Sequence, residues 1–112
     1  MSRPIFSLDE ARALLPRVRE LTADAVIRAD ALTDELQRVP EEDPVHAQLS
    51  EALRDIVNGW AHAIRELGVE VKGLWLVDFD NGEGYYCWKY PEDTVAHYHG
   101  YDEGFAGRMS IQ

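Results

Sequence analysis

Cysteine is almost missing from this chain. Cys87 is the only one in 112 residues, so no disulfide can form within it, and a reducing, cytoplasmic setting is the simplest expectation. Positive charge is scarce as well. Eleven Lys and Arg stand against 21 Asp and Glu, a net charge of −10, and the arginines are scattered among acids rather than gathered in a patch. Such a field repels phosphate backbones, which argues against DNA or RNA as the main partner. No apolar run reaches signal-peptide or bilayer-spanning length, so no membrane association is expected. The chain also lacks a glycine-rich phosphate loop, a serine nucleophile elbow, a second cysteine for a metal-binding pair and a His-Glu-x-x-His zinc pattern.

What is present is an ordinary globular composition, 46% apolar, at the commonest domain length, so residues 1–112 are expected to form one domain. Arg3-Pro4-Ile5-Phe6 reads as an extended lead-in. Ser7-Leu8-Asp9-Glu10 fits a capping box, with Ser7 as N-cap. Apolar side chains then recur at Ala11, Leu14, Leu15, Val18, Leu21, Ala25, Ala29, Leu32, Leu36 and Val39, the period of a helix lying along another helix. Pro16 predicts a kink rather than a stop. Pro40-Glu41-Glu42-Asp43-Pro44 breaks the helix, and Asp43 with Pro44 restarts one as N-cap and first residue. Its apolar positions are Leu49, Leu53, Ile56, Val57, Trp60, Ile64 and Leu67, and Gly68 supplies the C-terminal stop.

Residues 8–67 should therefore form a long antiparallel helical hairpin. His46 and His62 read as solvated side chains on it, and Gly59 as a point of close helix packing. Two helices alone leave apolar stripe uncovered, so a homodimer through the hairpin is expected, completing a four-helix bundle. The alternative is a monomer whose sheet lies flat against both helices.

From Gly73 to Arg108 the composition changes: all five Tyr, the single Cys and two of the four His fall here. Val69-Glu70-Val71-Lys72 alternates and begins or approaches a strand. Leu74–Phe79, Tyr85–Tyr90 and Thr94–His99 are the strands of a three-stranded antiparallel β-meander spanning 69–99. Asp80-Asn81-Gly82 marks the first turn. With Asn81-Gly82 as a two-residue loop, Trp75 pairs with Trp88, Val77 with Tyr86 and Asp78 with Tyr85. One face then carries Trp75, Val77, Phe79, Tyr86 and Trp88 toward the helices. The other carries Leu74, Leu76, Asp78, Tyr85, Cys87 and Lys89. A three-residue second turn sets Cys87 opposite His97 and Tyr85 opposite His99, whereas one more residue there moves both histidines to the aromatic face.

The irregular tail, 100–112, has three glycines between Gly100 and Gly107. Phe105 is expected to anchor it to the core. Arg108 is expected to reach Asp78 or Glu92 as an ion pair, or else to hold an anionic ligand. The fold class is thus α+β.

Phe6-Ser7, Glu10-Ala11, Leu14-Leu15-Pro16, Gly68-Val69-Glu70-Val71-Lys72, Val77-Asp78-Phe79, Cys87-Trp88, Glu92, His99 and Gly104-Phe105-Ala106-Gly107-Arg108 resemble an uncharacterised prokaryotic family, domain-of-unknown-function family 2203. The resemblance spans nearly the whole chain. It departs at Tyr98, where the family pattern implies Trp, and in the turn Asn81-Gly82-Glu83-Gly84. It implies an architecture and no activity.

Three functions compete. The first is a homodimeric protein-interaction module, favoured by the long hairpin and the missing catalytic motifs. The second is a site on the polar sheet face. Its candidate ligand-binding residues are Asp78, Tyr85, Cys87, Glu92, His99 and Arg108, and its candidate metal ligands are His97, His99, Asp78 and Cys87, suited to a divalent transition metal such as zinc. No other cofactor is expected. The third is an enzyme in which Cys87 and His97 form a thiolate–imidazolium pair, with Asp78 orienting the histidine and Arg108 binding an anionic substrate.

Overall fold

Ser7 starts the first helix as its spacing requires. Its Oγ accepts the Glu10 N–H at 3.1 Å, and Glu10 Oε1 accepts the Ser7 N–H at 2.9 Å. This capping box satisfies two helix-end donors and is worth about 1 kcal/mol. The computed structural model describes residues 4–112, so Arg3 of the lead-in lies outside the described residues. Helix α1 runs Leu8–Arg38 without a break at Pro16. Asp43 then caps α2, Pro44–Glu66, through the Val45 N–H at 2.9 Å. Gly68 follows the α2 C-cap, Leu67, at φ +82°. No helix among the described residues is long and apolar enough to cross a membrane.

The two helices pack as an antiparallel hairpin, and the sheet covers only one end of it. The core joins Ala11, Leu15 and Val18 of α1 and Trp60, Ala61 and Ile64 of α2 to Val69, Val77, Phe79, Trp88 and Val95. A buried polar link crosses this contact: Trp60 Nε1 donates to Thr22 Oγ1 at 2.8 Å, and Thr22 donates to the Val18 carbonyl at 2.7 Å. Between Asp30 and Gly59 no residue is buried.

Among the described residues the sheet has five strands rather than three, in sequential antiparallel order. They are β1, Glu70–Gly73; β2, Leu76–Asp80; β3, Tyr85–Lys89; β4, His97–His99; and β5, Met109–Ser110. The alternating Val69–Lys72 segment leads into β1, which begins at Glu70 and runs on through Gly73, and the tail contributes β5 as well as a 3₁₀ turn at Phe105–Gly107. Trp75, expected within a strand, instead sits in the turn between β1 and β2 at φ +60°. Its ring still reaches the helices, packing edge-on against Trp60 at 4.9 Å.

The first hairpin differs from the expected pairing by two residues. Val77 pairs with Trp88, Asp78 with Cys87, Phe79 with Tyr86 and Asp80 with Tyr85. Side chains on the turn cause the shift. Asn81 Oδ1 accepts the N–H groups of Glu83 and Gly84, Asp80 Oδ1 accepts that of Gly82, and Asn81 N–H closes on the Gly84 carbonyl. These bonds stabilise a longer loop over the two-residue turn. Because side chains alternate, a shift of two leaves every residue on its expected face. Val77, Phe79 and Trp88 still look to the helices, and the second hairpin pairs as expected, Cys87 with His97 and Tyr85 with His99.

Candidate functional site

The face turned away from the helices gathers its polar residues because β2, β3 and β4 each present alternate positions there. Asp78 and Asp80 come from β2, Tyr85 and Cys87 from β3, and His97 and His99 from β4. Gly84 lets the strands close up at this end, since a Cβ there would lie 2.7 Å from the His99 carbonyl oxygen. The C-terminal tail folds back over this face. Tyr101 donates its hydroxyl proton to Asp80 Oδ1 at 2.7 Å and packs edge-on against Tyr85 at 5.0 Å. Together they enclose a cavity of about 230 Å³ lined by Lys72, Leu76, Asp78, Tyr85, Cys87, His99, Tyr101, Gly104 and Phe105.

At its floor lie three groups. Asp78 (1% exposed), Cys87 (0%) and His99 (3%) bring one ligand atom each to within 4.8 Å of one another. His99 Nε2 is 2.9 Å from Asp78 Oδ2, and its Nδ1 is 2.8 Å from the Gly100 carbonyl oxygen. A carbonyl only accepts, so Nδ1 carries a hydrogen. Nε2 and a carboxylate oxygen at 2.9 Å then need a proton, or another cation, between them. Burial pushes the Asp78 carboxyl up despite the opposing pull of His99. Burial, reinforced by the Asp78 carboxylate, pushes the Cys87 thiol up to about 12. With nothing else bound, Cys87 is a neutral thiol at physiological pH and not a thiolate.

His97 is not part of this trio, although it shares the face. Its Nδ1 lies 3.6 Å from Glu92 Oε2, on the side of the face where Arg108 also closes. Of the metal set read from the sequence, the structure brings Asp78, Cys87 and His99 together and leaves His97 apart, next to Glu92. Cys87 and His97 are cross-strand partners, but Asp78 does not orient that histidine, since it bonds His99 instead. Arg108 reaches Glu92 rather than Asp78, through paired contacts of 3.0 and 2.9 Å, and comes to 4.0 Å from Cys87 Sγ. Phe105 does not enter the core. It is 45% exposed, and its ring lies 4.3 Å from the Arg108 guanidinium carbon in a cation–π contact on the polar side of the sheet.

Several residues here had escaped the sequence reading. Asp80 follows Asp78 by two and was visible by alternation. Lys72 and Glu70 were visible in the same way from Val69–Lys72; the Lys72 ammonium lies 3.1 Å from Glu70, whose Oε1 accepts the Tyr85 hydroxyl at 3.0 Å. Tyr101 sits in a glycine-rich tail and had no periodic signal. Arg12 and Arg19 of α1 also escaped; they hold the connector by donating to the backbone carbonyls of Val95, Glu92 and Asp93.

Glu92 ties the tail to the sheet. Burial raises its pKa, but the Arg108 hydrogen bonds and the Lys89 N–H outweigh burial and hold it below its ordinary 4.5. A depressed carboxyl contributes stability that is fully present above the unfolded pKa and is lost as pH falls through the folded one. Glu92→Gln should therefore be less stable than the parent at neutral pH, with the gap closing under acid. Thermal midpoints between about pH 7 and pH 3 check this, and a gap that stays constant would show that the pair does not contribute.

These features define an α+β domain in which a helical hairpin supports a polar sheet face covered by the chain's own tail. The chain belongs to the family described as "Uncharacterized conserved protein (DUF2203)", whose model matches residues 4–111. No curated protein and no solved structure matches it.

Proposed function

We propose that this protein is a small-ligand-binding domain whose site is the polar sheet face beneath the C-terminal tail. The observation that carries this reading is the burial of Asp78, Cys87 and His99 at the floor of a cavity with apolar walls, Leu76 and Phe105. Ionisable groups held out of water in a hollow are costly, and binding sites are where that cost is commonly retained. At about 230 Å³ the cavity suits a ligand smaller than drug-sized molecules. A larger hollow of about 410 Å³ lies between the helices, but it is an open trough without such groups at its floor. The test is amide NMR with a library of small polar fragments, run in parallel on chelator-treated and zinc-supplemented protein. Shifts concentrated at Lys72, Cys87, Tyr101, Gly104 and Phe105 support the site; hits confined to the trough, or none at all, remove it.

The helical hairpin favours a second reading, a homodimeric interaction module. Its far half, Asp30 to Gly59, has no buried residue, and a Cβ built on Gly59 meets nothing within 4 Å. That space fits a helix from a second copy or from another protein. In a monomer, Gly59→Ala should stabilise the domain by about 0.5–1 kcal/mol through helix propensity alone. Light scattering that returns the monomer mass, together with that gain in stability, would eliminate this reading.

A further inference from the structure

Resting on the small-ligand reading above, we propose that the pocket's ligand is anchored by a divalent transition metal of the zinc type. The metal is held by an Asp78 carboxylate oxygen, Cys87 Sγ and His99 Nε2, with the fourth position open to the cavity. A simple buried pair of His99 and Asp78 accounts for one contact and leaves two facts over. Asp78 Oδ1 is buried without a hydrogen-bond partner of normal geometry, and the Cys87 thiol, only a weak donor, stands against the same carboxylate. A cation among the three atoms accounts for both.

The distances suit one. Zinc holds sulfur at about 2.3 Å and nitrogen or oxygen at about 2.0–2.2 Å, so tetrahedral ligand atoms stand roughly 3.3–3.6 Å apart. The present atoms lie within 4.8 Å of one another, with the closest pair at 2.9 Å. Closing on an ion asks for shifts of about an ångström or less, within reach of small side-chain adjustments. The donor set is one thiolate, one imidazole and one carboxylate, which selects zinc or cobalt over magnesium or calcium.

Supporting groups are already placed. The Gly100 carbonyl accepts the Nδ1 hydrogen and leaves Nε2 as the ligating atom. Arg108 approaches Cys87 Sγ at 4.0 Å, where it stabilises a metal-bound thiolate. The positive side chains nearby do not repel the ion outright, since Arg108 is paired with Glu92 and Lys72 with Glu70. Three protein ligands facing a cavity make an open site, the kind that accepts a further ligand, rather than a closed structural one. His97, near Glu92, lies outside it.

Cobalt(II) titration of chelator-treated protein reads the ligand set directly. One cobalt per chain is expected, with tetrahedral d–d absorption and a thiolate-to-cobalt charge-transfer band. Zinc should displace the cobalt and raise the thermal midpoint. Cys87→Ser should abolish the band, and both Cys87→Ser and His99→Asn should weaken zinc binding by at least about tenfold. His62→Ala, on the exposed face of α2, should leave the band and the affinity unchanged. The wild-type spectrum needs no variant to fold, so the proposal stands or falls on it. No stoichiometric uptake, uptake without the thiolate band, or wild-type affinity in Cys87→Ser each overturns the metal. The pocket and the metal fail separately. Fragments that shift the tail amides of metal-free protein keep the pocket when cobalt does not bind. A charge-transfer band in protein that binds no fragment, with or without zinc, keeps the metal when the ligand reading is lost.

Discussion

Trp88→Ala should lower the stability of this domain by about 3–5 kcal/mol, the range for removing a large aromatic from a packed interior. Trp88 is fully buried and belongs to the cluster that joins the sheet to both helices. A small domain has only about 5–15 kcal/mol in total, so the variant should lose at least about a fifth of its margin and melt roughly 10 °C or more lower. The indole also has a polar partner, since Nε1 donates to the Glu92 carbonyl at 2.8 Å. Trp88→Phe separates the two contributions. It keeps most of the apolar contact and removes the N–H, yet Arg19 still donates to the same carbonyl at 3.2 Å, so the acceptor is not orphaned. Trp88→Phe should therefore cost about 1–2 kcal/mol, mostly for lost volume. Equal losses in the two variants, measured by denaturant unfolding, would place the weight on the hydrogen bond instead.

The helices were legible because each rests on local chemistry. Ser7 with Glu10, Asp43 with Pro44, and Gly68 mark ends that depend on residues within one turn. The two faces of the sheet were legible for a different reason. Side-chain alternation has a period of two, and the error in the first hairpin was also two, so Asp78 and Cys87 stayed on the polar face. The register itself was not legible, because two side chains, Asp80 and Asn81, decide the length of the turn through bonds to its backbone. Nor could alternation separate His97 from His99, which share a face. What separates them is tertiary: Glu92 arrives on the connector beside His97, while the Gly100 carbonyl and Asp78 hold both nitrogens of His99. The same limit hid Tyr101 and exposed Phe105, since the path of a glycine-rich tail depends on what it finds to cover.

His99→Ala is expected to cost a further large amount, about 3–5 kcal/mol in metal-free protein, although the side chain fills less core than Trp88 does. The reason is electrostatic. Removing the imidazole leaves Asp78, 1% exposed, without the one group that offers Oδ2 a proton at 2.9 Å. A buried carboxyl without a partner carries its desolvation cost alone, whereas the pair shares it. Asp78→Ala should be comparably damaging, because it leaves an imidazole that meets the Gly100 carbonyl on one nitrogen and nothing on the other. Removing both should then cost less than the sum of the two, by about 1–3 kcal/mol of coupling. Cys87→Ser makes the contrast sharper. The thiol is neutral, so its replacement strands no charge and should cost no more than about 1–2 kcal/mol in the metal-free state. A double-mutant cycle on chelator-treated protein tests the ranking. Additive losses at Asp78 and His99 would mean that each is held by its own surroundings, and that the contact between them contributes little. Strong coupling there, with a mild effect at Cys87, would mean that two of the three floor residues already act as a unit, with the thiol as the member that a bound ion recruits.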